Sequence, residues 1–236
     1  MNEPLINVLK KIQAHPITYL YDKSLTSLCY FIDGYTCKAR EHNPYYSDSL
    51  SGKTITYGIE FEAFVFNYFS CTNFDAVKDW CFIIIERSDS DAAAFDKFLE
   101  LFSKYVEGKV DDPNSKYVPL DNGESPSDDP LYTKLKKMCD LYYLYFRVKS
   151  ILHIYHFIAG YTYRSLELDP DYRDRFSGTG FGAFVHNHFR TDEINRKKEW
   201  VTVLLENSES EEEAFDIFFE LLDEFMGAEK EKARST

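Results

Sequence analysis

A chain of 236 residues that is 44% hydrophobic and 17% aromatic has ample material for a packed core, which excludes disorder along its whole length. Its 40 acidic against 27 basic side chains, a formal net charge of -13, argue against a binder of nucleic-acid phosphates, which needs clustered Lys and Arg to release counterions. A basic protein partner fits that charge, and plain solubility fits it as well.

The first predicted helix begins near Pro4, a residue suited to a first helical turn. The second starts at Ser24, as its later counterpart starts at Ser150, where the hydroxyl can cap, and carries Leu25, Leu28, Phe31 and Ile32 on one face. Gly34 lies late in this helix, and Gly160 lies late in its later counterpart, where Gly costs about 1 kcal/mol relative to Ala, so each marks either close helix packing or a helix end. A polar, breaker-rich loop from Asn43 to Thr54 follows, then a third helix around FEAFVFNYF. The stretch VKDWCFIIIE could be a strand by its β-branched content or a helix by the spacing of Trp80, Ile83 and Ile84. Helix is preferred, because a lone strand among helices lacks a partner. The closing helix, Ser88 to Val106, has Phe95, Phe98, Leu101 and Phe102 as its apolar stripe, with Ser88 as the expected N-cap and Asp91 three residues on.

The same series then begins again. Placing Glu3 over Asp129 (129 − 3 = 126) pairs EPLINVLKK with DPLYTKLKK and KSLTSLCYFIDGYTCKA with KSILHIYHFIAGYTYRS. After a six-residue deletion the offset becomes 184 − 64 = 120, which pairs FEAFVFNYF with FGAFVHNHF, Trp80 with Trp200 and Glu86 with Glu206. The closing helix of the second series, Ser208 to Met226, carries Phe215, Phe218, Leu221, Leu222 and Phe225, with Ser208 as expected cap and Glu211 after it. The sequence therefore predicts an all-α fold of two tandem copies of a roughly four-helix domain, residues 3–106 and 129–227. A Gly, Pro, Ser and Asp-rich linker at 107–128 joins them, and a tail at 228–236 without hydrophobic periodicity is expected to fray.

The five cysteines, Cys29, Cys37, Cys71, Cys81 and Cys139, are odd in number and include no CxxC pair, which argues against a disulfide or zinc framework. The opening MNEPLINVLKKIQAH does not read as a signal peptide, and no apolar stretch approaches the roughly 18 to 20 residues that cross a bilayer. The expectation is a cytoplasmic protein without membrane contact.

Candidate chemistry is sparse. His186 and His188, with Asp192 and Glu193 nearby and His153 and His156 on another helix, suggest a metal site. Yet residues i and i+2 of a helix point about 200° apart, and the first copy has Phe66, Tyr68, Ser27 and Tyr30 at those places, so amphipathic packing is the preferred role and no metal or other cofactor is expected. Glu86 and Glu206 occur singly, one per copy, without a nucleophile and base beside them. Ser51-Gly52-Lys53-Thr54 resembles the end of a phosphate-binding loop, but Ser47 stands where the first glycine is needed and no apolar strand precedes it. The glycine-rich FSGTGFG of the second copy, from Phe176, lacks the lysine altogether. The tyrosines, among them Tyr35, Tyr45, Tyr57, Tyr143 and Tyr161, suit half-buried helix surface first and an interface second.

The stretch HPITYLYDKSLTSLCYFIDGY, from His15, resembles the opening of a group of small uncharacterised bacterial proteins that also end in an S-x-S-x-x-x-A-F-D-x-F-F-x-L-L motif. Pro16, Tyr19, Leu20, Ser24, Leu25, Leu28, Phe31, Ile32, Gly34 and Tyr35 fit the first motif, and Ser208, Ser210, Ala214, Phe215, Asp216, Phe218, Phe219, Leu221 and Leu222 fit the second. Ala14 departs from the group's opening lysine and Tyr142 from its proline. The resemblance implies an immunity protein that neutralises a secreted bacterial toxin, and it implies no catalytic residue.

The functional expectation is thus a non-enzymatic binding protein of the immunity type; a helical adaptor with two related binding domains is the alternative, and an enzyme comes third. The predicted partner surface is the polar face of the last helix, Glu212, Glu213, Asp216, Glu220, Asp223 and Glu224, where the first copy has Ala92, Ala93, Asp96, Glu100, Ser103 and Lys104. Acidity that the helix does not need suits a cationic protein partner.

Overall fold

The fold was analysed as a computed structural model, which describes residues 4–43, 46, 59–71, 79–108, 130–145, 148–173, 175–176 and 180–234. Among these residues every regular element is helical and there is no strand. The helices are α1 (Pro4–Ala14), α2 (Pro16–Tyr19), α3 (Leu25–His42), α4 (Ile59–Tyr68), α5 (Trp80–Glu86), α6 (Asp91–Gly108), α7 (Pro130–Asp140), α8 (Tyr142–Tyr145), α9 (Ile151–Leu168), α10 (Phe181–His188), α11 (Trp200–Glu206) and α12 (Glu211–Arg234), with a single 3-10 turn at Asn195–Lys197. Both tryptophan segments are therefore helices, as their spacing predicts. The linker outside Glu107 and Gly108, which end α6, and the Ser51 to Thr54 loop lie outside the described residues. The tail is helical as far as Arg234, because Ala, Glu, Lys and Arg are strong helix formers and late Lys and Arg complement the helix dipole.

The chain divides into two compact units, one of residues 1–122 with 159–168 and the other of 123–158 with 169–236. In the first, the face of α6 made by Ala94, Phe95, Phe98, Leu101, Phe102 and Tyr105 is buried. Phe61 of α4 stands at the centre of an aromatic cluster, meeting Trp80, Phe98, Phe102 and Tyr105 edge-on at centroid distances of 5.5, 5.8, 5.8 and 5.3 Å. Trp80 stacks on Phe98 at 5.1 Å. Each such pair adds about 0.5 to 1.5 kcal/mol beyond the area it buries. The stretch Ala159–Leu168 of α9 completes this unit, and Gly160 shows why its sequence permits that: a Cβ there would stand 1.9 Å from the carbonyl oxygen of Phe31. Gly160 thus marks close packing inside a helix that continues to Leu168, which decides between the two roles open for it.

The second unit holds a comparable cluster, with Phe181 edge-on to Trp200, Phe218 and Phe225 at 5.7, 5.3 and 5.7 Å and Trp200 stacked on Phe218 at 5.2 Å. On α12 the residues Ala214, Phe215, Phe218, Phe219, Leu221, Leu222, Phe225 and Met226 are buried.

Two sequence expectations need correction. The caps of α6 and α12 are Ser90 and Ser210, whose hydroxyls accept from the amides of Ala93 and Glu213, each at 3.1 Å. Ser88 and Ser208 instead donate to the carbonyls of Ile84 and Leu204 at the ends of the preceding helices, because a helix end offers unpaired carbonyls just where those serines stand. That frees Asp91 from a capping-box role. Its carboxylate reaches the start of α3, accepting from the amides of Leu25 and Thr26 at 3.0 and 3.2 Å and from the Ser24 hydroxyl at 2.5 Å. In the second unit Glu211 accepts from Ser150. Ser24 and Ser150 do cap α3 and α9 through the amides of Ser27 and His153.

The second correction is a disulfide between Cys29 of α3 and Cys81 of α5, with Cα atoms 6.9 Å apart. Parity and spacing could not disclose it, since the two residues meet only once α5 packs on α3. Cys37, Cys71 and Cys139 are in no disulfide among the described residues.

Two outcomes follow from this arrangement. Asp91→Ala, which removes an acceptor of three hydrogen bonds at a helix start, should lower stability by about 1 to 3 kcal/mol, seen as a lower urea midpoint at unchanged slope. In protein purified without reductant and then unfolded, three of the five cysteines should react with a thiol reagent; five reactive thiols would show that the Cys29 and Cys81 sulfurs are not joined.

Candidate partner-binding surface

On α12 the apolar stripe turns inward, so Glu212, Glu213, Asp216, Glu220, Asp223 and Glu224 are all exposed. They are not equally available. The Lys149 ammonium lies 2.8 Å from both carboxylate oxygens of Asp216 and 4.0 Å from Glu212. Asp223 is held by Lys136 at 2.7 Å and by the Tyr132 hydroxyl, which donates to it at 2.9 Å. The hydrogen bond to Asp216 raises the Lys149 pKa above its ordinary value, and the bond to Asp223 does the same for Lys136. Exposed pairs of this kind contribute about 0 to 1 kcal/mol.

Asp216 and Asp223 therefore tie α12 to Lys149, two residues before α9, and to α7. The first tie has a parallel in the other unit, where Lys23 reaches Asp96 at 2.7 Å. Lys149, Lys136 and Tyr132 are the residues that sequence reasoning missed here. Lys23 with Asp96 and Lys149 with Asp216 recur at the two offsets already in hand, 149 − 23 = 126 and 216 − 96 = 120, and that recurrence was the available signal.

The remaining carboxylates are freer. Glu212 is 71% exposed and 4.0 Å from its nearest cation, and Glu213 accepts from the amide of Glu209 at 2.5 Å. Glu220 and Glu224 have no ion pair among the described residues. On α6 the counterpart Glu100 lies between Lys97 at 2.9 Å and Lys104 at 2.6 Å, and hydrogen bonds from Lys104 and then Lys97 bring its pKa down to about 2. Both lysines also lie over the ring of Tyr68, 5.0 and 5.6 Å from its centroid. One closing helix thus balances its exposed charge and the other presents bare carboxylates.

The histidines separate as helical geometry requires. His186 is buried, its Nε2 donating to the carbonyl of Lys198 at 3.0 Å and its Nδ1 2.8 Å from the Thr191 hydroxyl, so both ring nitrogens pin the loop that leads into α11. His188 is exposed. Among the described residues no group of three or more His, Cys, Asp and Glu side chains is placed to hold a metal ion. Glu206 is bonded by Lys198 at 2.6 and 2.7 Å. Of the glycine-rich segment, Gly180 is the residue before α10, and a Cβ there would stand 2.0 Å from the Arg175 carbonyl oxygen, a packing reason for glycine that involves no phosphate. No described helix is long and apolar enough to cross a membrane.

Comparison with protein-family models, with curated proteins and with solved structures gave no match for this chain.

His156 has the most perturbed imidazole. It is 0% exposed, and neither ring nitrogen is hydrogen-bonded among the described residues. Burial first, and the nearby His153 second, bring its pKa down to about 3 from the ordinary 6.5. Between those values the unfolded chain binds a proton that the folded chain does not, so this residue costs stability progressively as pH falls from about 6.5 toward 3 and has no effect well above 6.5. From pH 7 to pH 5 the loss should be about 2 kcal/mol. Comparing urea midpoints of the wild type and His156→Phe at both pH values checks this: the variant should lose less by that amount, and equal losses would mean that His156 is protonated in the folded chain.

Proposed function

We propose that this chain is an acidic, non-enzymatic binding protein of the immunity type, built as a tandem duplication, which neutralises a bacterial toxin by engaging a basic surface of it with the exposed face of α12. The duplication is supported by the spacing of the helices. Helices of 11, 4 and 18 residues begin at Pro4, Pro16 and Leu25 and again 126 positions later, and helices of seven residues begin at Trp80 and 120 positions later.

The observation that carries the binding reading is the set Glu212, Glu213, Glu220 and Glu224, four exposed carboxylates of which only Glu212, 4.0 Å from Lys149, has a cation beside it among the described residues. Carboxylates at i and i+4 on one helix repel by a few tenths of a kcal/mol each, a cost that a cationic partner would turn into attraction. A binder is preferred to an enzyme because the groups that could do chemistry are otherwise engaged: both nitrogens of His186 serve a loop, and Glu206 serves Lys198. A cytoplasmic site of action belongs to the proposal and predicts that Cys29 and Cys81 are reduced in the cell.

The adaptor reading differs in stoichiometry, since it asks each copy to hold a partner, whereas the charge on α6 and α12 favours one partner at α12. The test needs a partner in hand, taken as a basic toxin domain if one is found encoded by a neighbouring gene. Replacing Glu212, Glu213, Glu220 and Glu224 together with Gln keeps helix propensity similar and should slow association at low salt by about tenfold or more while flattening its salt dependence. Cells making the toxin should lose protection in step. An unchanged on-rate would remove the α12 face from consideration, and a complex with two toxin domains per chain would favour the adaptor.

A further inference from the structure

Helix α3 and the Ala159–Leu168 stretch of α9 lie together inside the first unit, and their contacts come in reciprocal pairs. The Tyr35 hydroxyl donates to Glu167 at 2.7 Å, and the Tyr161 hydroxyl donates to Glu41 at 2.5 Å. The Arg164 guanidinium lies over the ring of Tyr35, 5.3 Å from its centroid, and the Lys38 ammonium lies over the ring of Tyr161 at 5.1 Å. Arg164 holds Glu167 at 3.1 Å, and Lys38 holds Glu41 at 3.3 Å. Each residue has its opposite number at one offset: 161 − 35, 164 − 38 and 167 − 41 are all 126. Gly160, closed upon by the Phe31 carbonyl, stands in the same relation to Gly34, which is itself buried.

Helix α3 by itself therefore carries both sides of this interface. It has the phenol donor Tyr35, the acceptor Glu41, the cation Lys38, the notch at Gly34 and the carbonyl of Phe31 that fills such a notch. A contact in which residue i meets j while the counterpart of j meets the counterpart of i is isologous, the pattern of a two-fold dimer. We propose that the α3 face built from Phe31, Gly34, Tyr35, Lys38 and Glu41 is a self-recognition surface, held in the folded chain by the chain's own Ala159–Leu168 and open, once that segment is displaced, to the α3 of a second copy of this chain.

The reciprocity also shows where the internal occupant has the advantage. Tyr163 packs its ring 6.0 Å from Phe31 and 5.9 Å from Tyr19, and its hydroxyl accepts from the Lys11 ammonium at 2.9 Å. At that place α3 has Cys37, which offers none of this. Covalent attachment adds a high effective concentration, so the unmodified chain stays a monomer. The proposal does not depend on the toxin-binding reading.

Gly160→Leu tests it in the full chain, because it adds a branched side chain where even a Cβ is 1.9 Å from the Phe31 oxygen, and it leaves α3 unaltered. Sedimentation should find the wild type at 27.7 kDa and the variant at twice that mass. Adding Gly34→Leu closes the notch on α3 and should restore the monomer. A Gly160→Leu variant that keeps its helical circular dichroism and stays monomeric would overturn the proposal. So would equal dimerisation of the double variant, since association would then use another surface. If Gly160→Leu loses its helical signal, Tyr161→Phe with Glu167→Gln, which adds no bulk, replaces it under the same criterion: dimers that Gly34→Leu abolishes support the surface, and monomers at every concentration refute it.

Discussion

The stacked and edge-on aromatic cluster beneath each closing helix is the constraint on which the other elements depend. Phe98 and Phe218 each stack on a tryptophan and meet edge-on a phenylalanine of α4 or α10, Phe61 or Phe181. A seven-residue helix such as α5 or α11 is too short to persist by its own hydrogen bonds. It is helical because its tryptophan is clamped in that cluster. The same clamp fixes where α6 and α12 begin, which puts Asp91 and Glu211 beside the starts of α3 and α9. Side-chain packing thus comes first here, and the polar links at the helix starts are its consequence.

Much of this was legible from the residues. The i, i+3, i+4 stripes of Phe and Leu, the prolines at helix starts and the serine caps at Ser24 and Ser150 are local signals, and local signals depend on residues a few positions apart. The tryptophan segments could be assigned by elimination, since a helical neighbourhood leaves a strand unpaired. What escaped was the product of tertiary contact. Asp91 looked like half of a capping box because Ser88 precedes it by three, yet its partners are 65 to 67 residues away. Cys29 and Cys81 are 52 residues apart, and nothing in their surroundings marks them as a pair. The acidic face was placed correctly as exposed, but its division into tethered and untethered carboxylates depends on Lys136 and Lys149, which approach it only after α7 and α9 have packed.

The glycine at the middle of α9 illustrates the same division from the other side. Sequence alone makes Gly160 an expensive residue in a long helix and can state the cost. Only the fold states the return, which is the approach of the Phe31 carbonyl to a distance that no side chain would allow. Around that approach Tyr35 and Tyr161 are buried, and each finds a glutamate. Burial and then the bond to Glu167 hold the Tyr35 phenol far above its ordinary pKa, so it serves as a donor throughout the physiological range.

Charge on the closing helices obeys a different rule from packing. Both bury a Phe and Leu stripe of the same spacing, and both tie one aspartate, Asp96 or Asp216, to a lysine just before the helix they brace. These are the positions that the fold uses. Outside them the two helices diverge: Ala92 and Ala93 against Glu212 and Glu213, Lys97 against Ile217, Lys104 against Glu224. On α6 the lysines neutralise Glu100 and pack over Tyr68; on α12 the corresponding acid, Glu220, has no lysine at either place. Since the core is satisfied in both cases, packing does not explain the difference. A surface that the fold leaves free to vary, and that varies toward uncompensated negative charge on one helix only, is where selection for a partner can act without disturbing the aromatic cluster underneath.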